Sequence, residues 1–195
     1  AGLASALAEI GEAAREPLVD ALKNESAKIR HGAAWAIGET QDPNLADNLP
    51  PLVEDDHPEV RAAAAWSLGQ LEYQPAIDAL IGLLDDPETK PRRSAANALG
   101  SFKDERVVAA LVAAWDDPEP QVRTEVLLAV MRTESPDARD ILRKALEDED
   151  AAPEVRAYAA YALGVIGDVS PEVVDKLIDR ALDPQPAVRR AAIRA

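Results

Sequence analysis

Cysteine is absent from the 195 residues, which excludes a disulfide framework, a thiolate zinc site, an iron–sulfur cluster and a cysteine nucleophile. Histidine is scarce, with two residues, His31 and His57. Aromatic residues number only seven, three Trp, three Tyr and one Phe, against 39 alanines. That balance describes closely packed helices and not a β-sandwich. No run approaches the roughly 18 to 20 apolar residues of a membrane span, and no basic-then-apolar leader opens the chain. The expectation is therefore a soluble protein with no membrane insertion, in the cytoplasm by default. Positive charge is also short: 21 basic against 36 acidic side chains give a formal charge of −15. A field of that sign repels phosphate backbones and anionic lipid, so no nucleic-acid partner is expected. The excess also fits a salt-adapted source, in which it serves solubility. Phosphate-binding loops, calcium loops, serine-nucleophile elbows and paired-histidine zinc motifs are all missing.

What the chain does have is a repeat. Arg30, Arg61, Arg92, Arg123, Arg156 and Arg189 stand 31, 31, 31, 33 and 33 residues apart. One position before them come Ile29, Val60, Pro91, Val122, Val155 and Val188; three after come Ala33, Ala64, Ala95, Val126 and Ala159; seven after come Ile37, Leu68, Leu99, Val130 and Leu163. Offsets of −1, +3 and +7 make one helical stripe. Eight positions after the arginine lie Gly38, Gly69, Gly100 and Gly164, with Met131 as the exception. Glycine there lets a neighbouring helix or the turning chain approach closely.

Each arginine-bearing helix, the second of its repeat, is announced by an acidic residue and a proline, as in Asp56-His57-Pro58, Asp86-Pro87, Asp117-Pro118 and Asp183-Pro184. Aspartate as N-cap with proline in the first turn is the reading these pairs invite. A first, amphipathic helix precedes each, for example through Leu18-Leu22, Ile77-Leu84, Val107-Val112, Leu142 and Leu177. In the second repeat Pro50-Pro51 should kink that helix or shorten it to a piece starting near Pro51. The result is a single array over 1–195 of about six helix pairs: 12–40, 41–72, 73–103, 104–134, 135–167 and 168–195. Residues 3–10 read as the end of an earlier second helix. Neither end carries a polar capping unit, so an excerpt of a longer array is expected.

The segments Pro-Glu-Val-Arg-Ala-Ala-Ala-Ala-Trp-Ser-Leu-Gly (58–69) and Pro-Glu-Val-Arg-Ala-Tyr-Ala-Ala-Tyr-Ala-Leu-Gly (153–164) resemble HEAT-like repeats of the phycobilisome-lyase type. The resemblance implies an all-α fold, a right-handed α-solenoid of stacked antiparallel helix pairs, with the second helices lining a concave groove. It implies no single function, because the family includes scaffolds, bilin lyase subunits and metal hydroxylases. The hydroxylases hold iron through His-Glu pairs, whereas Arg30-His31-Gly32 lacks the glutamate and His57 falls in a turn; no metal or other cofactor is expected. HEAT-like DNA glycosylases use a basic groove, which the charge contradicts. An accessory subunit of a bilin lyase is the enzymatic alternative to a non-enzymatic scaffold. A deliberately regular scaffold without a ligand fits less well, since Pro50-Pro51, Met131 and the 33-residue spacings break the regularity.

If the second helices line a groove, offsets +1, +2, +5 and +9 face it. The +5 position reads Trp35, Trp66, Asn97, Leu128 and Tyr161, a ladder at about the 8 to 10 Å spacing of packed helices. With Tyr158 these are the candidate contacts for a partner protein or peptide, because exposed Trp and Tyr combine large area with a polar handle. The alternative is that the rings cover the alanine-rich seam between neighbouring helices. Polar candidates are His31, Glu39, Gln70, Ser94, Ser101, Thr124 and Glu125, together with Arg93 and Arg132, which could anchor a carboxylate. Lys90, Arg92, Arg93 and Lys103 form one basic spot, and Arg189, Arg190 and Arg194 another. The six repeat arginines themselves read as structural, pairing with acidic groups such as Asp55, Asp86 and Asp117 in adjoining turns. Oligomeric state is not legible.

Overall fold

The computed structural model describes residue 13 and residues 15–133, 138–149, 151–168 and 170–195. Every regular element among them is helical: α1 (Arg15–Ala21), α2 (Ala27–Thr40), α3 (Pro58–Gln70), α4 (Ile77–Gly82), α5 (Thr89–Leu99), α6 (Glu105–Ala113), α7 (Pro120–Thr133), α8 (Ala138–Glu147), α9 (Pro153–Val165), α10 (Pro171–Arg180) and α11 (Pro186–Arg194), with short 3₁₀ turns between. The expected helix over 3–10 lies outside the described residues. Two layers result. The arginine-bearing helices α2, α3, α5, α7, α9 and α11 pack in chain order, and the shorter α-helices α1, α4, α6, α8 and α10 each lie against their own repeat's arginine-bearing helix. The core runs between the layers through Leu18, Ile37, Leu49, Leu68, Leu80, Leu99, Leu111, Leu127 and Leu142, all under 3% exposed.

The double proline does more than shorten its helix. The second repeat has no first α-helix, only 3₁₀ pieces over Pro43–Asn48 and Pro50–Glu54. Pro50 and Pro51 supply no amide for an i−4 bond, so the chain takes i−3 bonds instead: Leu49 N–H to Ala46 O at 3.1 Å and Leu52 N–H to Leu49 O at 2.9 Å.

The seam between arginine-bearing helices is set by the glycines. A Cβ on Gly69 would stand 2.6 Å from Cα and Cβ of Ala98, and one on Gly164 2.5 Å from Cα of Ala195. One on Gly38 would meet Trp66 Cζ3 at 2.7 Å and Ser67 Cα at 2.9 Å. Each glycine at +8 thus receives the +6 residue of the next arginine-bearing helix at backbone contact. The buried Ser67 hydroxyl adds a tie, donating to Ala34 O at 2.7 Å.

The aspartates are not N-caps, which corrects the sequence reading. The N-cap residues of α2, α3, α5, α9 and α11 are Ser26, His57, Glu88, Ala152 and Gln185, and none caps through its side chain. Asp-Pro or Asp-Asp forms the turn before the cap, and the aspartate carboxylate accepts the amide two residues on: Asp55 from His57 at 2.9 Å, Asp86 from Glu88 at 2.9 Å, Asp117 from Glu119 at 2.8 Å and Asp183 from Gln185 at 2.8 Å. Such turns are what Asp side chains favour. Proline at the start of α3, α7 and α11 is Pro58, Pro120 and Pro186.

The same carboxylates receive the repeat arginines of the preceding helix. Arg30 reaches Asp55 at 2.7 and 2.9 Å, Arg61 reaches Asp86 at 2.7 and 2.9 Å, and Arg92 reaches Asp117 at 2.7 and 3.2 Å, each through Nε and Nη2. The third nitrogen, Nη1, donates to the carbonyl of the aspartate in the arginine's own turn: Arg61 to Asp55 O at 2.7 Å, Arg92 to Asp86 O at 2.9 Å and Arg123 to Asp117 O at 2.8 Å. Arg61 and Arg92 therefore each bind their own turn and the next, as does Arg30 through Asn24 O at 2.8 Å. The Arg30 hydrogen bond holds the Asp55 carboxyl below the usual range. For Asp86, burial alone would push the value up; Arg61, the Glu88 amide and the Arg92 charge outweigh it, and the carboxyl is held low.

One joint departs from the pattern. Arg123 Nε stands 3.8 Å from Asp148 Oδ2, across the first 33-residue spacing and beside Met131, where the glycine is missing. At the next, Arg156 Nε is 3.3 Å from Asp183, which also draws the buried Arg180 to 3.7 Å.

Candidate binding face

Exposure along the arginine-bearing helices is narrower than the helical offsets predict. All five +9 residues, Glu39, Gln70, Ser101, Arg132 and Val165, are exposed. At +5 Tyr161 and, in the last repeat, Arg194 are exposed, whereas Trp35, Trp66, Asn97 and Leu128 are half-buried. At +1 and +2, Ala62 and Ala63 are buried, whereas Arg93 and Tyr158 are exposed. Close helix approach at the glycine seam covers the small residues of α3 and leaves longer or later ones outside.

The two tryptophans form a unit. Trp35 and Trp66 stack with ring centroids 5.8 Å apart and planes 19° from parallel, an aromatic pair geometry of the favoured kind. Trp66 also lies over Gly38, so it belongs to the α2–α3 seam as much as to the surface. His31 sits beside them, its Nδ1 2.9 Å from Glu59 O; a carbonyl only accepts, so Nδ1 carries the proton.

The middle of the face is polar and satisfied internally. Asn97 donates to the Glu125 carboxylate, and Arg132 donates from Nη2 to Asn97 O at 2.8 Å with Glu125 3.9 Å away. The Arg132 guanidinium occupies the space over Gly100, 2.6 Å from where a Cβ would sit. It is engaged in the α5–α7 seam, unlike Arg93, which reaches Gln121 Oε1 at 3.5 Å. Of the two arginines expected to anchor a carboxylate, Arg132 is thus held within the seam, and Arg93 is exposed beside Gln121.

At the other end, α9 presents Tyr158, Tyr161 and Val165, 49%, 56% and 66% exposed. Their spacing of three and four places them on one stripe. Neither phenol has a hydrogen-bond partner among the described residues.

Sequence reasoning missed Arg180. It is buried and donates to Leu146 O at 2.8 Å and to the Glu149 carboxylate at 2.8 Å. The signal was present: three positions before the turn aspartate, Leu52, Leu83 and Ala114 stand where Arg180 stands before Asp183. Among the described residues, no group of three or more His, Asp or Glu is placed to hold a metal ion, and no helix is long and apolar enough to cross a membrane.

A family model for HEAT repeats matches residues 15–97, 82–153 and 148–195. The chain belongs to the HEAT-repeat family. This HEAT array is similar to solved structures at low identity. YibA of E. coli shares 18% identity over 98% of this chain and 72% of its own, with a TM-score of 0.77. The complex of CpcE and CpcF of phycocyanin lyase from Nostoc sp. PCC7120 gives 22%, 98% and 86%, with a TM-score of 0.61. A designed armadillo repeat protein gives 17%, 92% and 97%, with a TM-score of 0.62. These likenesses establish the helical solenoid and no activity. No curated protein matches the HEAT array.

Proposed function

We propose that the chain is a non-enzymatic scaffold that binds a partner protein or peptide on the exposed face of its arginine-bearing helices. The observation that carries the reading is the stripe on α9: Tyr158, Tyr161 and Val165 are about half or more exposed, share one helical face, and leave two phenols without a hydrogen-bond partner among the described residues. Aromatic residues at such positions concentrate binding energy because they bury area and keep a polar group for the partner. The Trp35–Trp66 stack extends the aromatic surface at the far end, with the exposed Arg93 between them.

The test is affinity capture with the wild-type chain, with Tyr158→Ala/Tyr161→Ala, and with Ile29→Ala as an exposed apolar control elsewhere. Loss of an anchoring aromatic costs about 2 kcal/mol, or roughly 30-fold in affinity. A captured protein that is retained by the control and lost with the tyrosine variant supports the reading; identical capture by all three refutes it. The bilin-lyase alternative is supported by the likeness to the phycocyanin lyase complex. It calls for a new visible absorbance band on mixing with a linear tetrapyrrole, and an unchanged spectrum with and without a candidate apoprotein removes it.

A further inference from the structure

The face shared by α5 and α7 carries charge opposite in sign to that of the whole chain. Acidic side chains outnumber basic ones 36 to 21, so a surface cation normally stands beside a carboxylate. Arg106 reaches Asp78 at 2.7 Å and Asp104 at 2.8 Å, and Arg143 reaches Asp168 at 2.8 Å. Lys90 and Arg93 depart from this. Both are exposed on α5, and three residues apart they share one stripe. Neither forms an ion pair among the described residues; Arg93 reaches the neutral Gln121. Of the side chains that α5 and α7 turn to this face, one is a carboxylate, Glu125. It is half-buried, accepts the Asn97 amide and has Arg132 3.9 Å away, so its charge is already met.

Two boundaries set the size of a ligand here. The turns before α5 and α7 expose Asp85, Glu88, Asp116 and Glu119, which repel a long polyanion. The ligand's negative charge is therefore confined to about two carboxylates, over Lys90 and Arg93. On the other side, beyond α7, lies the Tyr158–Tyr161–Val165 stripe of α9. Two steps between packed helices make about 16–20 Å from α5 to α9. An extended chain covers that in about five to six residues. The span crosses α7 at Thr124 and Leu128, both half-buried, where small or apolar side chains fit.

We infer that this face takes an extended peptide with two neighbouring acidic residues over Lys90 and Arg93 and a large apolar residue about five to six positions away, against Tyr158, Tyr161 and Val165. The inference rests on the partner-binding reading of the α9 stripe and adds to it the ligand's charge and spacing. The apolar residue supplies most of the affinity, and the acidic pair sets the direction in which the peptide lies.

The test pans the immobilised full chain against random peptides of about twelve residues, long enough to cross three helices. Enriched peptides should share an acidic pair and, about five to six positions away, an aromatic or aliphatic residue. Their affinity should fall roughly three- to tenfold in Lys90→Gln/Arg93→Gln, a difference that shrinks in high salt. It should fall about 30-fold in Tyr158→Ala/Tyr161→Ala. Circular dichroism of both variants should match the wild type, since the four side chains are exposed. Enriched peptides that lack acidic residues and are lost only with the tyrosine variant overturn the inference and leave the scaffold reading standing. Peptides indifferent to both variants, or no enrichment, overturn both. Inorganic polyphosphate that binds more tightly than the selected peptides and is lost in Lys90→Gln/Arg93→Gln assigns the cations to a phosphate polymer instead. A dimer in sedimentation that Arg93→Gln abolishes assigns them to a second copy.

Discussion

Replacing Asp86 with alanine removes three hydrogen bonds at once: those from Arg61 Nε and Nη2 at 2.7 and 2.9 Å, and that from the Glu88 amide at 2.9 Å. The side chains of the pair are 13% and 4% exposed, so the Arg61 charge is left facing little water. Removing one partner of a buried pair costs about 3–5 kcal/mol. Here Arg61 keeps its bond to Asp55 O at 2.7 Å and borders solvent at the turn, which lowers the expected loss to about 2–3 kcal/mol. For a chain of this length that is about 5–10 °C in the thermal midpoint. The joint lies between repeats, and stability in such arrays is carried by nearest-neighbour terms, so the loss should be uneven along the chain. Urea unfolding read by circular dichroism and by tryptophan fluorescence detects this, because Trp35 and Trp66 precede the joint and Trp115 follows it. A double-mutant cycle with Arg61→Ala isolates the pair, with an expected coupling of about 1–2 kcal/mol at physiological salt. Asp86→Asn keeps an acceptor for the Glu88 amide and should lie between wild type and alanine. A coupling below about 0.5 kcal/mol would place the pair with exposed surface salt bridges and refute the account of the arginines as ties between repeats.

Gly69→Ala puts a Cβ 2.6 Å from the Ala98 backbone, so α3 and α5 must separate. Overpacking of about 1–3 kcal/mol exceeds the helix-propensity gain of about 1 kcal/mol, and the urea midpoint should fall. Gly82→Ala, with nothing within 4 Å of its Cβ, should leave the midpoint unchanged or slightly raised; equal losses at the two positions would rule out the seam explanation. Acid should act through the turn carboxylates. The folded-state values of Asp55 and Asp86 are held low, so their contribution is complete above the unfolded value near 3.9 and is lost as pH falls through the lower folded value. Thermal melts should be flat from pH 7 to 5 and drop below about pH 4, less steeply in Asp86→Asn; a midpoint that declined steadily between pH 7 and 5 would refute the assignment of acid sensitivity to the turn carboxylates.

The repeat was legible because its determinants are single residues at fixed offsets. Arginine, glycine and the apolar stripe each act through position alone, and position is what a sequence states. The turn aspartates show the limit of that logic. Asp86 and the start of α5 at Thr89 are separated by Pro87 and Glu88, and whether an aspartate caps a helix or folds the turn before it depends on backbone angles that spacing does not set. The groove residues show another limit. Offset +5 put Trp66 on the right side of its helix but said nothing of its rotamer, and the ring turns back over Gly38. Arg132 likewise folds over Gly100, where a guanidinium fills space that the missing side chain leaves. In both cases the glycine that brings helices together also makes room for the large residue next door, so a long side chain near such a glycine is drawn into the seam.

That coupling separates the two kinds of position in this array. Residues at which the repeats agree, the arginine, the turn aspartate, the alanines and the glycine, are consumed in joining one repeat to the next. Residues at which they differ, such as Trp, Trp, Asn, Leu and Tyr at +5, are left to vary in exposure as well as identity. The joint between α7 and α9 is where agreement fails on all counts: Met131 replaces the glycine, Arg123 stands 3.8 Å from Asp148, and two residues are inserted. In a one-dimensional array the weakest nearest-neighbour term decides where the chain behaves as two blocks. Here that term divides the Trp35–Trp66 stack from the Tyr158–Tyr161 stripe. A partner that engaged both aromatic patches would therefore draw stability from the α7–α9 joint as well as from its own contacts, because holding the two blocks in register is work that this joint does poorly by itself.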